Sequence, residues 1–202
     1  MTEQKRNQGA GGAGTNGNGL PFEGKESILN LFADYTQHKY YVTIPQKKSD
    51  KKKLISTVIE LTKNNEKFTH ITKGGINSWF LEEHGIIVSK TGAGKKAKSD
   101  GILSKGLEPD EAIFNHNSKT LHVFEKKYQN GAGSVDEKLQ TCDFKKKQYE
   151  KLGNIIGAQI TYSFILSSFF EKNKELYADV FNYIESVECS YYFGVPKDYF
   201  TK

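Results

Sequence analysis

Two carboxylates and a lysine in the stretch LEPDEAIFNHNSKTLHVFEKKYQ, Leu107 to Gln129, have the types and spacing of a hydrolytic centre. Asp110 follows Pro109. Glu125-Lys126-Lys127 comes after two β-prone runs, Ala112 to Phe114 and Leu121 to Phe124, which the polar link Asn115 to Lys119 joins. The pattern predicts a β-hairpin. A symmetric turn centred between Asn117 and Ser118 sets Asp110 directly opposite Glu125, where cross-strand Cβ atoms lie about 4.5–5.5 Å apart. Side chains alternate along a strand, so Asp110, Ala112, Phe114, Leu121, Val123, Glu125 and Lys127 share one face. That face is apolar near the turn and charged at its open end.

Carboxylates so close repel each other and raise one another's pKa unless a cation lies between them. Mg²⁺ suits the place, because it takes hard oxygen ligands, commonly one or two carboxylates with waters and substrate phosphate. Lys127 can then reach a metal-bound water or the attacked phosphate. Lys126 turns its side chain to the other face, but its backbone carbonyl can supply a further hard oxygen. The plain alternative is an amphipathic hairpin with a solvated charged end.

The elements that would hold this hairpin are readable on both sides. Downstream, Gly131-Ala132-Gly133 breaks the strand, and Ser134 with Glu137 makes a capping box opening a helix to about Leu152. Ala158 to Leu166 reads as a buried strand, Lys174 to Val187 as a helix, and Cys189 to Phe193 as a short closing strand. Upstream, Leu54 to Asn64 and Ile76 to Glu83 read as helices, and Gly85 to Val88 or Gly101 to Leu103 as the strand before the hairpin. The strand-helix-strand order predicts an α/β fold with parallel neighbours and helices packed on the sheet.

Pro109-Asp110 followed by Glu125-x-Lys127 resembles the PD-(D/E)xK nuclease superfamily, home of many type II restriction endonucleases. The facing acids and the downstream elements accompany these letters in the order that the family's core has. The resemblance covers roughly Gly85 to Phe193. It implies a restriction-endonuclease-like αβββαβ core, a central mixed sheet flanked by helices with the acids and lysine at one end of its second and third strands. It further implies Mg²⁺-dependent double-strand cleavage of DNA at a specific sequence by a homodimer, with 5′-phosphate and 3′-hydroxyl ends and a cognate DNA methyltransferase in the same cell. In that chemistry Asp110 and Glu125 hold one or two metals that polarise the phosphate and acidify a bound water, and Lys127 orients that water or offsets charge. Gln129, on the same face, braces the site, touches phosphate or simply packs. Glu82 or Glu83 could add a ligand, as an upstream acid does in some relatives, against the simpler reading of a solvated helix end. The alternatives are another DNA nuclease of this superfamily, for repair, recombination or homing, and a noncatalytic DNA-binding module that keeps the sheet and the basic surface.

Composition bounds these readings. Residues 1–20 are polar and glycine-rich and are expected to form a disordered arm, leaving 21–202 as one nuclease domain. They lack the apolar core of a secretory signal, and no run is apolar enough to span a membrane, so a cytoplasmic protein is expected. Cys142 and Cys189 fit buried reduced thiols, and the five histidines show no zinc spacing. His122 alternates onto the face opposite the acids. The net charge is only +5, but lysines cluster at Lys90, Lys95, Lys96 and Lys98 and at Lys138 with Lys145 to Lys147. Those clusters fit a phosphate backbone or a merely solvated surface. Ser89 to Lys96 lacks the first glycine and the hydroxyl residue of a phosphate-binding P-loop, so nucleotide hydrolysis is not expected.

Overall fold

The computed structural model describes residues 21–22, 25–32, 36–43, 56–63, 65–90, 100–130 and 135–200. The glycine-rich arm, Ser134 and the loop carrying Lys95, Lys96 and Lys98 lie outside the described residues. Among those described, seven strands form one sheet in chain order: β1 (Thr36–Thr43), β2 (Ser56–Lys63), β3 (Glu66–Thr72), β4 (Glu111–Asn115), β5 (Thr120–Lys127), β6 (Gln159–Leu166) and β7 (Ser190–Phe193). Strands β1 to β5 run antiparallel, and β6 and β7 add in parallel. Parallel neighbours need crossovers. Helices α2 (Val135–Leu139) and α3 (Cys142–Ile156) supply the first, and α4 (Ser168–Lys172) and α5 (Ala178–Ser186) the second. The remaining helix, α1 (Gly75–His84), lies between β3 and β4. The fold is therefore α/β, a mixed sheet flanked by helices.

The hairpin has the expected register. Glu111 pairs with Phe124, Ala112 with Val123 and Phe114 with Leu121. Ala112, Phe114, Leu121 and Val123 pack with Trp79 and Phe80 of α1 and with Tyr149 and Leu152 of α3, forming the larger core. Ile113 and Phe124 face the other way, against Ile28 and Phe32 of a short 3-10 helix (Ile28–Phe32) and aromatic residues near the chain end.

Three expectations need correction. Leu54 to Asn64 is not a helix, since Ser56–Lys63 is strand β2, paired on both sides. Its Ser-Thr-Val-Ile run favours a strand. Asn65, at φ 64°, then turns the chain into β3, in the left-handed region that asparagine tolerates. Neither Gly85 to Val88 nor Gly101 to Leu103 is a strand of the sheet; they meet in one parallel bridge, Ser89 to Leu103. The neighbour of β4 is β3, which precedes α1. The downstream helices also differ in extent. Thr141 donates its hydroxyl to Lys138 O at 2.7 Å, closing α2, and α3 runs on to Ile156. The final helix begins at Ala178 rather than Lys174.

Packing fixes α3 closely on the sheet. A Cβ at Gly153 would meet Ala158 O at 2.8 Å and Ile160 Cδ1 at 2.8 Å, so only glycine lets the helix lie this near β6. No helix among the described residues is long and apolar enough to cross a membrane.

Candidate active site

Asp110 sits one residue before β4, and the hairpin register carries it opposite Glu125. The backbone N–H of Lys126 donates to Asp110 Oδ2 at 2.8 Å, which fixes the carboxylate against the neighbouring strand. Lys127 reaches back along β5. Its Nζ lies 2.7 Å from Glu125 Oε2, 3.1 Å from the Lys126 carbonyl and 3.8 Å from Asp110 Oδ2. One ammonium thus occupies the position between two carboxylates and a carbonyl where electrostatics calls for a cation. The open end of the hairpin is more enclosed than its polarity suggests, with Glu125 only 7 % exposed.

Two further lysines complete the cluster. Lys73, in the turn between β3 and α1, bonds Asp110 Oδ1 through Nζ. Its backbone takes φ 46°, a left-handed conformation costly for lysine, and its N–H donates to Pro109 O at 2.9 Å. Lys145, in the first turn of α3, bonds Glu125 Oε1 at 3.0 Å. Each carboxylate therefore shows one oxygen to Lys127 and the other to an outer lysine. Burial works to raise the Asp110 pKa, but Lys127, Lys73 and the Lys126 N–H outweigh it and hold the carboxyl below its ordinary value. Beneath them Tyr149 is buried, and its hydroxyl has no hydrogen-bond partner among the described residues. Burial and then the charges of Glu125, Asp110 and Glu108 push that hydroxyl well above the usual tyrosine range.

Lys126 turns away, as alternation requires. Its Nζ lies 3.0 Å from Glu111 Oε1 on the back of the sheet, with the Lys126 side chain 3 % exposed. Glu111 also accepts from Ser27 Oγ at 2.7 Å and from the Ile28 N–H at 2.6 Å. His70 Nε2, at 3.8 Å, is an electrostatic neighbour rather than a hydrogen-bond partner. Burial would raise the Glu111 carboxyl, but His70, Lys126 and Ser27 together bring it down to about 2. His122 shares this back face, bonding Thr161 Oγ1 at 2.9 Å, and burial lowers it to about 4.

Other expected participants go elsewhere. Gln129 is buried; its N–H bonds Ser167 Oγ at 3.2 Å and its Nε2 donates to the Tyr177 hydroxyl at 3.1 Å, tying the end of β5 to the starts of α4 and α5. Glu83 lies at the far end of α1, where its charge acts on His84 and on His116 in the hairpin turn, so it does not join Asp110. Glu82 is exposed on the same helix. The lysine run on α3 is not one basic surface: Lys145 serves Glu125, Lys146 pairs with Glu188 at 3.0 Å and Lys147 with Asp143 at 2.8 Å. Cys142 and Cys189 are buried free thiols.

The sequence does not mark Lys73, Lys145 and Tyr149 as neighbours of the acids, nor Glu111 as the partner of Lys126 behind them. Lys145 left a signal: it falls three residues after Cys142 and four before Tyr149, within the buried stripe of its helix. Among the described residues no cluster of three or more His, Cys, Asp or Glu side chains forms. The oxygens that meet around the Lys127 ammonium are those of Asp110, Glu125 and the Lys126 carbonyl, hard donors of the kind Mg²⁺ takes. Already converging on one ammonium, they fit such an ion. Comparison with known protein families, characterised proteins and solved structures finds no match to this chain.

Proposed function

We propose that this protein is a Mg²⁺-dependent endodeoxyribonuclease of the PD-(D/E)xK superfamily and of the type II restriction class, a homodimer that cuts both strands of DNA at a specific sequence. The observation that carries this reading is the convergence of Asp110, Glu125 and the Lys126 carbonyl on the Lys127 ammonium. The strand arrangement supports it. With β3 counted first, the acids and lysine fall at one end of the second and third strands, β4 and β5, and parallel β6 follows across a helix. The departure is α1, which stands between β3 and β4 rather than before the first strand.

Bound by Asp110, Glu125 and the Lys126 carbonyl, Mg²⁺ would polarise the scissile phosphate and make an attacking water more acidic. The chain's own groups do the rest. The Lys126 N–H keeps Asp110 ionised and oriented, and Lys127 offsets the negative charge that builds on the phosphate as water adds. With the ion on the carboxylates, Lys73 and Lys145 would surround the same point with positive charge, which draws in a polyanion.

One observation favours a second reading. All four carboxylate oxygens already face lysine ammoniums, as they would in a noncatalytic DNA-binding module. Incubating the protein with a defined supercoiled plasmid in Mg²⁺ and in EDTA separates the readings. Discrete Mg²⁺-dependent fragments with ligatable 5′-phosphate ends are expected. Smearing would point to a repair-type nuclease, and intact but bound DNA would sink the enzymatic reading.

A further inference from the structure

We infer that Lys73 and Lys145 are exchangeable counter-ions, bound to the site's carboxylates in the free protein and transferred to DNA phosphates when a divalent cation takes those carboxylates. The inference rests on the nuclease reading and extends it, since it makes cation binding and backbone binding one coupled event. It starts from the division of the four carboxylate oxygens. Asp110 gives Oδ2 to the Lys126 N–H and faces Lys127 with it, while Oδ1 goes to Lys73; Glu125 gives Oε2 to Lys127 and Oε1 to Lys145. The inner lysine and its carbonyl mark the cation position, and the outer two flank it from different elements, the β3–α1 turn and the first turn of α3.

Both outer lysines can move while the acids stay. The Lys73 side chain is 26 % exposed and that of Lys145 25 %, whereas Asp110 and Glu125 are at 13 % and 9 %. A divalent ion between the acids would repel three ammoniums at once, and the partly exposed pair sit on long, flexible stems. Their next acceptors are the phosphates on either side of the bond held at the centre. Without the ion the same lysines neutralise the carboxylates, and DNA meets a site with little free positive charge. Reciprocity then requires that the cation tighten DNA binding and DNA tighten cation binding by the same factor.

The coupling gives the lysine variants opposite signs in two assays, which a merely structural role would not. Ca²⁺ titrated calorimetrically into the DNA-free protein is expected to bind Lys73→Gln and Lys145→Gln about threefold or more tightly than the parent, because a competing ammonium is gone. DNA binding in Ca²⁺ is expected to weaken, with the slope of log K against log salt less negative by about 0.9 for each lysine removed. In EDTA that slope should hardly change. Lys73→Arg and Lys145→Arg keep the charge and should follow the parent, and thermal melts identify any variant that fails to fold. Unchanged or weaker Ca²⁺ binding in both folded glutamine variants, with Asp110→Asn still abolishing it, overturns the exchange but leaves the nuclease reading standing. Absence of Ca²⁺ binding by the parent, or binding that Asp110→Asn leaves intact, overturns the metal site itself.

Discussion

Asp110 accepts the backbone N–H of Lys126 at 2.8 Å, so the first acid of the site is held by the strand that bears the second. The backbone of β5 ties the two carboxylates together.

That link separates two substitutions at Asp110. Asp110→Asn keeps an oxygen for the Lys126 N–H while removing the charge, so the protein should fold normally and lose cleavage. Asp110→Ala strands the N–H and should cost a further 1–3 kcal/mol or so, as a buried group left unsatisfied does. Urea unfolding alongside plasmid cleavage checks both, and substantial cleavage by folded Asp110→Asn removes Asp110 from the site.

Neighbouring lysines should fail in different ways. Lys127→Ala is expected to lose roughly 10²–10³-fold in cleavage rate with a small change in stability. Lys126→Ala leaves Glu111 buried without its ammonium, which costs about 3–5 kcal/mol, and its rate, measured while folded, should fall far less. If the two phenotypes are exchanged, the faces of β5 are reversed.

Acid should destabilise the protein in two steps. His122 titrates near 4 in the fold and near 6.5 when unfolded, so the unfolded chain binds the extra proton between those values. Stability from this group is full above about pH 6.5 and falls by about 2–3 kcal/mol as pH drops to 4. Glu111, lowered from 4.5 to about 2, contributes stability above its unfolded value, which is lost as pH falls from about 4.5 to 2. Unfolding free energies measured from pH 7 to 2.5 should show both slopes, with His122→Gln reducing the upper and Glu111→Gln the lower. An upper slope left unchanged by His122→Gln would reassign it.

Gly153 should tolerate little. An added methyl would meet the Ala158 carbonyl at 2.8 Å, and backbone cannot yield as a side-chain tip can. Gly153→Ala should cost about 1–3 kcal/mol by overpacking. Lifting α3 off β6 also displaces Lys145 from the phosphate it is proposed to bind, so cleavage should fall more than the melting temperature suggests. A variant as stable as the parent would show that α3 has room to shift.

The hairpin was legible because its information is local. A turn at Asn115 to Lys119 fixes the register, and strict alternation sends Glu125 and Lys127 one way and Lys126 the other. Lys73 and Lys145 were not legible as site residues, since the packing of the β3–α1 turn and of α3 brings them in from distant sequence. Strand β2 was misread because Leu54, Val58 and Leu61 also fall at helical spacing, and its pairing with β1 and β3 decides the matter. The first core strand was sought after α1, where the extended segments pair with each other instead, while β3 carries mostly short or charged residues around Phe68 and Ile71.

The pairing of Glu111 with Lys126 works as a proofreading device for β5. Strand β5 ends in two lysines, so a slip of one residue against β4 would still offer an ammonium to the front face while sending Glu125 to the back. Glu111 rejects that error. Buried and ionised behind the sheet, it finds its ammonium where Lys126 points backward, whereas a slip that brings Glu125 to that place leaves it facing a second carboxylate; it also holds Ser27 Oγ and the Ile28 N–H. A hairpin slipped in that direction would bury two carboxylates together, a penalty of several kcal/mol that the folding chain avoids by choosing the alignment in which Glu125 and Lys127 meet Asp110.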